Sequence, residues 1–415
     1  MEQLAKTSQF KCGYIISLII GLFVFSTLLL PEVMINSSFP KLQISDLLLM
    51  PAFILLFYNR SKVLWFSNVK FYVLWLLFGL IMLISLIVNE RFFVLQDLFE
   101  LYKLFKFLFF VLFLSTLGSA ANLEQIVKVS FVGVLLFNLL HYFDVLGFNE
   151  HFMSYYSAEV QWKTFGLNSV GETDTKRLLG TLGNPNTNSV LFLFFMFYFQ
   201  PSKNTFKLVD LLHFSAVLAF FACQSRTSLI ALAVCVLFII WTADRNWILF
   251  AKRAVVYFLL GMLVFVGDIF WSQKESKQNY LTTLSGEAWK SKSIKGRMEV
   301  WGMLWDNIKE KPVLGHSPNK DFFYSNNIYA ESQYVLYAYR YGFVGLILFL
   351  IIGFYVLNMS YLAFKNKQNI VLFLITLVFM ISSFTNMPFN DSRLIMIYAL
   401  VVAIFFNYKN LSHEA

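Results

Sequence analysis

Long apolar runs separated by short polar segments constrain this chain more than any other feature. Most of them are close to the ~20 residues that an α-helix needs to cross the hydrocarbon core of a bilayer. The runs lie near 14–30, 43–58, 70–88, 98–117, 125–146, 187–200, 207–223, 227–243, 252–271, 334–357, 369–384 and 393–407. The sequence therefore predicts an all-α, polytopic membrane protein with about twelve transmembrane helices.

Composition agrees with this class and excludes others. Only 14% of the 415 residues are charged, against roughly 25% in soluble globular proteins. The net charge of +9 comes from basic residues spread over short loops, where they fix topology, so no nucleic-acid partner is predicted. Cys12, Cys223 and Cys235 lie in or beside apolar runs and the long loops have none, which indicates neither a disulfide nor a zinc site.

The distribution of basic residues predicts the orientation. The side of the N-terminus carries Lys6, Lys11, Arg60, Lys62, Lys70, Lys203, Lys207, Arg245, Lys252, Arg253, Lys365, Lys367 and Lys409. The short segments on the opposite side carry only Lys41, Arg91, Arg226 and Arg393. Since cytoplasmic loops are enriched in Lys and Arg, we expect both termini in the cytoplasm and the first helix to be retained.

The same topology places two long loops outside, 147–186 and 272–333, on a single membrane domain that covers 1–415. Loops of this length are usually functional or disordered. Helical spacing within the second loop joins Met298, Trp301, Leu304, Trp305 and Ile308. This pattern predicts an amphipathic helix, which either lies at the outer membrane interface with its Trp side toward lipid or packs on the bundle.

Several familiar chemistries are not indicated. The sequence has no P-loop, no HExxH and no GxSxG motif, so neither nucleotide hydrolysis nor a hydrolase triad is predicted. Glu172 and Asp174 are the nearest approach to a metal-binding acidic pair. Because exposed loop acids are more often solvated than ligating, we predict neither a metal nor a cofactor.

Five arginines lie at or near the predicted outer boundary: Arg177, Arg226, Arg297, Arg340 and Arg393. A guanidinium stays charged and binds phosphate with two hydrogen bonds, so this set is suited to a lipid-linked phosphate. The alternative is that they extend to lipid headgroups, which we leave open for Arg297 and Arg393. An arginine as deep in an apolar helix as Arg340 is a functional candidate.

Other candidates lie close to these arginines in the sequence. Asn184 and Asn186 belong to GTLGNPNTN, which opens an apolar helix and offers amides and backbone N–H groups to an anion or a sugar. Glu331, at the start of a later helix, is the first candidate for a general base and His316 the second. Tyr334 is a further candidate for substrate binding. We expect Gly342 and Gly345 to allow a close approach between helices.

The order of four segments resembles the bacterial O-antigen polymerase and ligase superfamily: RLLGTLGNPNTNSV, SRT, GRMEVWGMLWDNIKEKPVLGH and AESQYVLYAYRYGFVG. The resemblance implies a GT-C-like membrane fold in the bacterial inner membrane, with a site that faces the periplasm. It also implies inverting, metal-independent glycosyl transfer from an undecaprenyl-diphosphate-linked oligosaccharide to a second such molecule. Membrane lipid, a chain-length regulator and a flippase are the other implied partners.

By this resemblance, Arg177 and Arg226 match arginines that hold the diphosphate. Glu331 falls where the ligase branch has a His-Asn pair, whereas this chain has Glu331-Ser332, which favours the polymerase branch. Three alternatives stay open at this point. They are an O-antigen ligase, a lipid-linked oligosaccharide transporter, and a non-enzymatic scaffold or sensor in polysaccharide export. The transporter is suggested by the charges of one helix, namely Asp97, Glu100, Lys103 and Lys106.

Overall fold

A computed structural model shows a helical protein. It describes residues 2–33, 41–59, 68–157, 177–200, 208–242, 255–257, 259–264, 292–326, 328–366 and 370–414. Within these ranges the only extended pairing is an isolated antiparallel bridge between Val33 and Leu42. The predicted all-α class is therefore confirmed for the described part of the chain.

The helices follow the order of the apolar runs. They are α1 (Glu2–Leu29), α2 (Ile44–Leu47), α3 (Leu49–Tyr58), α4 (Val69–Val88), α5 (Leu95–Leu117), α6 (Ala120–Phe143), α7 (Phe148–Phe152), α8 (Pro185–Tyr198), α9 (Leu208–Ala222), α10 (Arg226–Thr242), α11 (Lys292–Glu310), α12 (Lys320–Ser325), α13 (Gln333–Lys365), α14 (Val371–Ser382) and α15 (Ser392–Glu414). Short 3₁₀ turns at Val145–Gly147 and Met153–Tyr155 flank α7.

Three of the described helices are long and apolar enough to cross a membrane, namely Val69–Val88, Asn122–Phe143 and Gln333–Lys365. Shorter apolar helices include Tyr14–Leu29, Ile44–Tyr58, Val209–Ala222, Arg226–Thr242, Val371–Ser382 and Ser392–Asn407. The chain is thus a multi-pass membrane protein. The number of twelve spans, the orientation and the GT-C-like arrangement stay predictions.

Helix α8 lies inside the bundle. Its residues from Asn188 to Phe197 are all buried, and α9, α10 and α14 pack around it. A helix that is apolar over most of its surface is suited to the interior of a bundle, where it has no contact with water. The packing holds the start of α8, and with it Asn184 and Asn186, at one end of the bundle.

Helix α13 is interrupted at Gly342, which has φ 64° and ψ −171°. The break exposes backbone groups, and residues 312–316 provide their partners. The N–H of Phe343 donates to the carbonyl of Pro312 at 2.7 Å, and the N–H of His316 donates to the carbonyl of Tyr339 at 2.8 Å. A hydroxyl of α4, Ser85 Oγ, donates to the carbonyl of Arg340 at 3.0 Å.

The expectation for Gly342 is corrected by this geometry. A Cβ at Gly342 would lie 2.1 Å from the carbonyl oxygen of Val313, so the close approach is made by a loop rather than by a neighbouring helix. At Gly345 the neighbour is a helix. A Cβ there would lie 3.7 Å from Ile81 of α4.

Helix α11 lies within the range predicted as the second long loop, and its two faces differ in burial. Leu304 and Ile308 are buried against the protein, in a cluster with Phe323 and Tyr339. The indole of Trp301 donates to the carbonyl of Ala330 at 2.6 Å. Trp305 and Met298, in contrast, are 49% and 62% exposed. One face of α11 therefore packs on the protein. Trp301 makes a hydrogen bond to the protein, whereas Trp305 is about half exposed.

We expect Gly342→Ala to lower the apparent unfolding temperature of the detergent-solubilised protein. An L-residue at this φ is strained by about 1–3 kcal/mol, and the Cβ collides with backbone that cannot move without breaking the contact. The matched control is Gly302→Ala, where a Cβ meets nothing within 4 Å. Alanine in an exposed helix interior stabilises by about 0.5–1 kcal/mol. A Gly342→Ala protein as stable as wild type would contradict the interpretation of the break.

Candidate functional site

A polar cavity of about 180 Å³ lies where four parts of the chain meet. These are the start of α8, the start of α11, the segment before α13 and the loop between α14 and α15. The lining residues are Asn184, Asn186, Thr187, Val190, Arg297, Tyr329, Glu331, Asn386, Met387, Pro388, Asn390, Asp391 and Leu394. Four residues predicted from the sequence are thus brought together here, namely Asn184, Asn186, Arg297 and Glu331.

Asn184 begins α8 as its N-cap. Its side-chain oxygen accepts from the N–H of Asn186 at 2.9 Å and from the N–H of Thr187 at 3.4 Å. Pro185 follows at the first helical position, where its missing N–H and fixed φ are favourable. The local sequence therefore sets the helix start that forms one wall of the cavity.

Arg297 and Glu331 form an ion pair across the cavity, between Nε and Oε2. Glu331 has φ 47°, a left-handed conformation that is uncommon for a residue with a side chain and occurs preferentially at functional sites. Its side chain is 33% exposed. The carboxylate is therefore accessible from the cavity, with one oxygen already committed to the guanidinium.

Asp391 is a second carboxylate in the cavity, and sequence reasoning missed it. Its Oδ1 accepts from the N–H of Arg393 at 2.9 Å and from the N–H of Leu394 at 3.0 Å, which makes Asp391 the N-cap of α15. Burial raises its pKa above the ordinary value, although the charge of Arg393 opposes this. An Asp before a helix start was the available signal, but it is common and indicates a cap rather than a site.

The loop between α14 and α15 is fixed by Gln333, which is fully buried. Its side-chain oxygen accepts from the N–H groups of Phe389 and Asn390, both at 3.1 Å. Its own N–H donates to the carbonyls of Ser383 and Asn386 at 2.9 and 3.0 Å. Asn386, Asn390 and Tyr329 thereby line the cavity as polar residues that sequence analysis did not single out.

Arg177 and Arg226 do not line the cavity. Arg177 donates to the carbonyls of Cys223 and Gln224 and to Asn186 Oδ1, each at 3.0 Å. It therefore holds both a cavity residue and the turn from which Arg226 follows. Among the described residues, Arg226 has neither a hydrogen-bond nor an ion-pair partner, and it is only partly buried.

Arg340 and Arg393 are buried next to residues that line the cavity. Arg340 Nη1 donates to Asn390 Oδ1 at 2.9 Å, and its guanidinium lies over the ring of Phe323. Arg393 donates to the carbonyls of Thr181 and Leu182. Neither of these two buried arginines is placed to extend to a lipid headgroup.

The charges of α5 that suggested a transporter are held in ion pairs. Glu100 lies 2.9 Å from Lys103 and 2.8 Å from Lys320, the first residue of α12. Lys103 also donates to the carbonyl of Asn390 at 2.9 Å, and Lys106 lies 2.6 Å from Asp46. Part of this network ties the second long loop and the cavity wall to the bundle, which gives these charges a structural role.

Two predicted residues are engaged away from the cavity. The hydroxyl of Tyr334 donates to the carbonyl of Met380 at 2.6 Å. His316 Nε2 lies 2.8 Å from the carbonyl of Asn307, and its ring stacks on Tyr339. Tyr334 thus joins α13 to α14, and His316 joins the loop after α11 to α11 and α13; neither side chain lines the cavity. Glu172 and Asp174 lie outside the described residues.

Comparison with known proteins adds one finding. The sequence model of a family described as O-antigen ligase matches residues 211–350, about a third of the chain. The match supports the O-antigen polymerase/ligase superfamily. No curated protein matches the chain. The matched segment contains Arg226, Arg297 and Glu331, whereas Asn184, Asn186 and Asp391 lie outside it, so the cavity joins matched and unmatched parts of the chain.

We expect Gln333→Met to loosen the cavity wall. The substitution leaves the N–H groups of Phe389 and Asn390 without their acceptor, and each buried unsatisfied donor costs about 1–3 kcal/mol. The apparent unfolding temperature should fall, and hydrogen exchange at 389–390 should accelerate. Ser382→Ala is the matched control, because this buried hydroxyl has no hydrogen-bond partner among the described residues. Unchanged exchange at 389–390 in Gln333→Met would show that the loop is held by other contacts.

Proposed function

We propose that this protein is a surface-polysaccharide polymerase of the O-antigen type. It joins undecaprenyl-diphosphate-linked oligosaccharide units at the periplasmic face of the inner membrane, by inverting and metal-independent glycosyl transfer. The observation that supports this best is the polar cavity, in which Arg297, two carboxylates and several amides meet. Arg226, which has no partner among the described residues, follows the turn that Arg177 ties to Asn186 of this cavity.

The residues match the chemical requirements of such a transfer. When the anomeric carbon–oxygen bond breaks, negative charge grows on the departing diphosphate, and fixed cations stabilise it. Arg226, which has no partner among the described residues, is available to bind that group, and Arg177 positions the turn that precedes it. Arg297 becomes a second cation for the diphosphate if it leaves Glu331. The sequence motifs predict Glu331 as the base, and the cavity offers a second carboxylate, Asp391, for the same role.

The amides of the cavity suit a sugar. Asn186, Asn386 and Asn390 offer both donors and acceptors, which sugar hydroxyls require. No nucleotide is needed, since the diphosphate linkage of the donor supplies the energy. This agrees with the absence of a P-loop from the sequence.

The choice between polymerase and ligase rests on the residues at 331–332. The resemblance associates a His-Asn pair with the ligase branch, and here the positions are Glu331-Ser332. None of the described residues that line the cavity is a histidine. A ligase is the second candidate, because the matching family model carries that description.

Purified protein in proteoliposomes would separate the two activities. With lipid-linked single units as both donor and acceptor, a polymerase extends them into a ladder, whereas a ligase makes no product until lipid A core is added. Product that forms only after lipid A core is added, and that consists of core capped with one unit and no ladder, would contradict our proposal.

We expect Arg226→Ala to abolish polymer in a strain that lacks the chromosomal copy, since removing one preorganised donor costs about 10²–10³-fold in rate. Arg226→Lys should restore little, because an ammonium lacks the planar fork. Polymer is measured as a ladder on gels, with the protein quantified in the membrane fraction. The matched control is Lys309→Ala, a cation that is 61% exposed on α11. A normal ladder with Arg226→Ala would remove this residue from the site.

A further inference from the structure

We propose that Asp391 accepts the proton of the attacking sugar hydroxyl. The proposal rests on the proposed glycosyl transfer and assigns within it a residue that neither the sequence motifs nor the family match singles out. Asp391 is the last residue before α15 and lines the cavity together with Asn390 and Leu394.

The two oxygens of this carboxylate differ in their hydrogen bonds. Oδ1 is held by the N–H groups of Arg393 and Leu394 at 2.9 and 3.0 Å. Oδ2 has no hydrogen-bond partner among the described residues. One oxygen therefore fixes the side chain at the end of a helix, and the other is available to a hydroxyl in the cavity.

Glu331 is differently placed. Its Oε2 is paired with Arg297, and the residue lies on a segment before α13 rather than at the end of a buried helix. A base must be held within hydrogen-bond reach of the proton that it removes. Two backbone hydrogen bonds hold the Asp391 side chain in place, and it needs no change of partner to accept a proton.

The surroundings of Asp391 also support a base. Burial raises its pKa, and among the smaller contributions Arg393 lowers the pKa while Glu32 raises it. Arg297, Glu331 and Tyr329 are the other charged or titratable residues that line the cavity with it. A carboxylate whose pKa is raised toward the working pH is a better proton acceptor than an exposed one.

The step is a single displacement. The acceptor hydroxyl oxygen forms a bond to the anomeric carbon of the donor sugar as the bond from that carbon to the diphosphate breaks. The electron pair of the broken bond leaves with undecaprenyl diphosphate, and the hydroxyl proton moves to Asp391 Oδ2. No oxidant, reductant or other co-reactant enters.

The test uses substitutions that keep the helix cap. Asn and Ser cap helices about as well as Asp, so Asp391→Asn and Asp391→Ser retain the hydrogen bonds to residues 393 and 394 while removing the base. The full-length protein is assayed in proteoliposomes with lipid-linked single units isolated from a deletion strain. Unfolding temperature, binding of the lipid-linked unit and kcat are measured for each variant, with Asp306→Asn on α11 as an exposed control.

We expect both Asp391 variants to fold and to bind the lipid-linked unit, with kcat lowered about 10²–10⁴-fold. In wild type kcat should fall as the pH drops through the pKa of Asp391, because the protonated acid accepts no proton. Glu331→Gln should change the affinity for the donor, because it removes the charge that is paired with Arg297. This variant should keep the fall of kcat at low pH.

Three results would overturn the proposal. The first is a kcat of Asp391→Asn within about threefold of wild type, a far smaller loss than removal of a general base causes. The second is a kcat of Glu331→Gln that no longer falls at low pH. The third is a loss of kcat in both Asp391 variants that is fully explained by a lower unfolding temperature. An inactive wild type would reject polymerisation as well, so the two proposals fail in distinguishable ways.

Discussion

A helix that breaks inside an apolar bundle must find new partners for its backbone, and in this protein residues 312–316 supply them. The carbonyls of Pro312 and Val313 accept from the second half of α13, and the N–H of His316 donates to the first half. Unpaired buried backbone groups are costly, so the break and the loop stabilise each other. The contact fixes the first half of α13, and the segment that carries Glu331 leads directly into it.

Charged residues of α5 also hold the second long loop, through contacts with the start of α12. Glu100 on α5 attracts Lys320 at the start of α12, and Asp97 Oδ1 accepts from the N–H of Lys320 at 2.9 Å. Removing either partner of a buried pair leaves an uncompensated charge. The described part of the second long loop is therefore held both by the backbone of α13 and by an ion pair to α5. Arg297 and Tyr329, which line the cavity, belong to this part of the loop.

The cavity itself is assembled from distant parts of the chain. Asn184 lines it as the N-cap of α8, and Asp391 lines it as the N-cap of α15. Gln333 links the loop before α15 to the start of α13. Helix ends offer fixed side chains with defined hydrogen bonds. Such a frame holds polar groups in fixed positions, which the proposed glycosyl transfer would require.

The sequence by itself determined the helical membrane class, the amphipathic helix of the second loop and four of the polar residues that line the cavity. These follow from apolar run length and helical period, which depend on local composition. Only the tertiary structure decided which polar residues share a cavity. It engaged Tyr334 and His316 away from the cavity, joined Arg177 to Asn186 and to the turn before Arg226, and brought Asp391 into the same cavity as Glu331. The reason is physical: a side chain's partners depend on contacts between residues far apart in the chain, and the interruption at Gly342, which sets several of them, has no signal in hydrophobic periodicity.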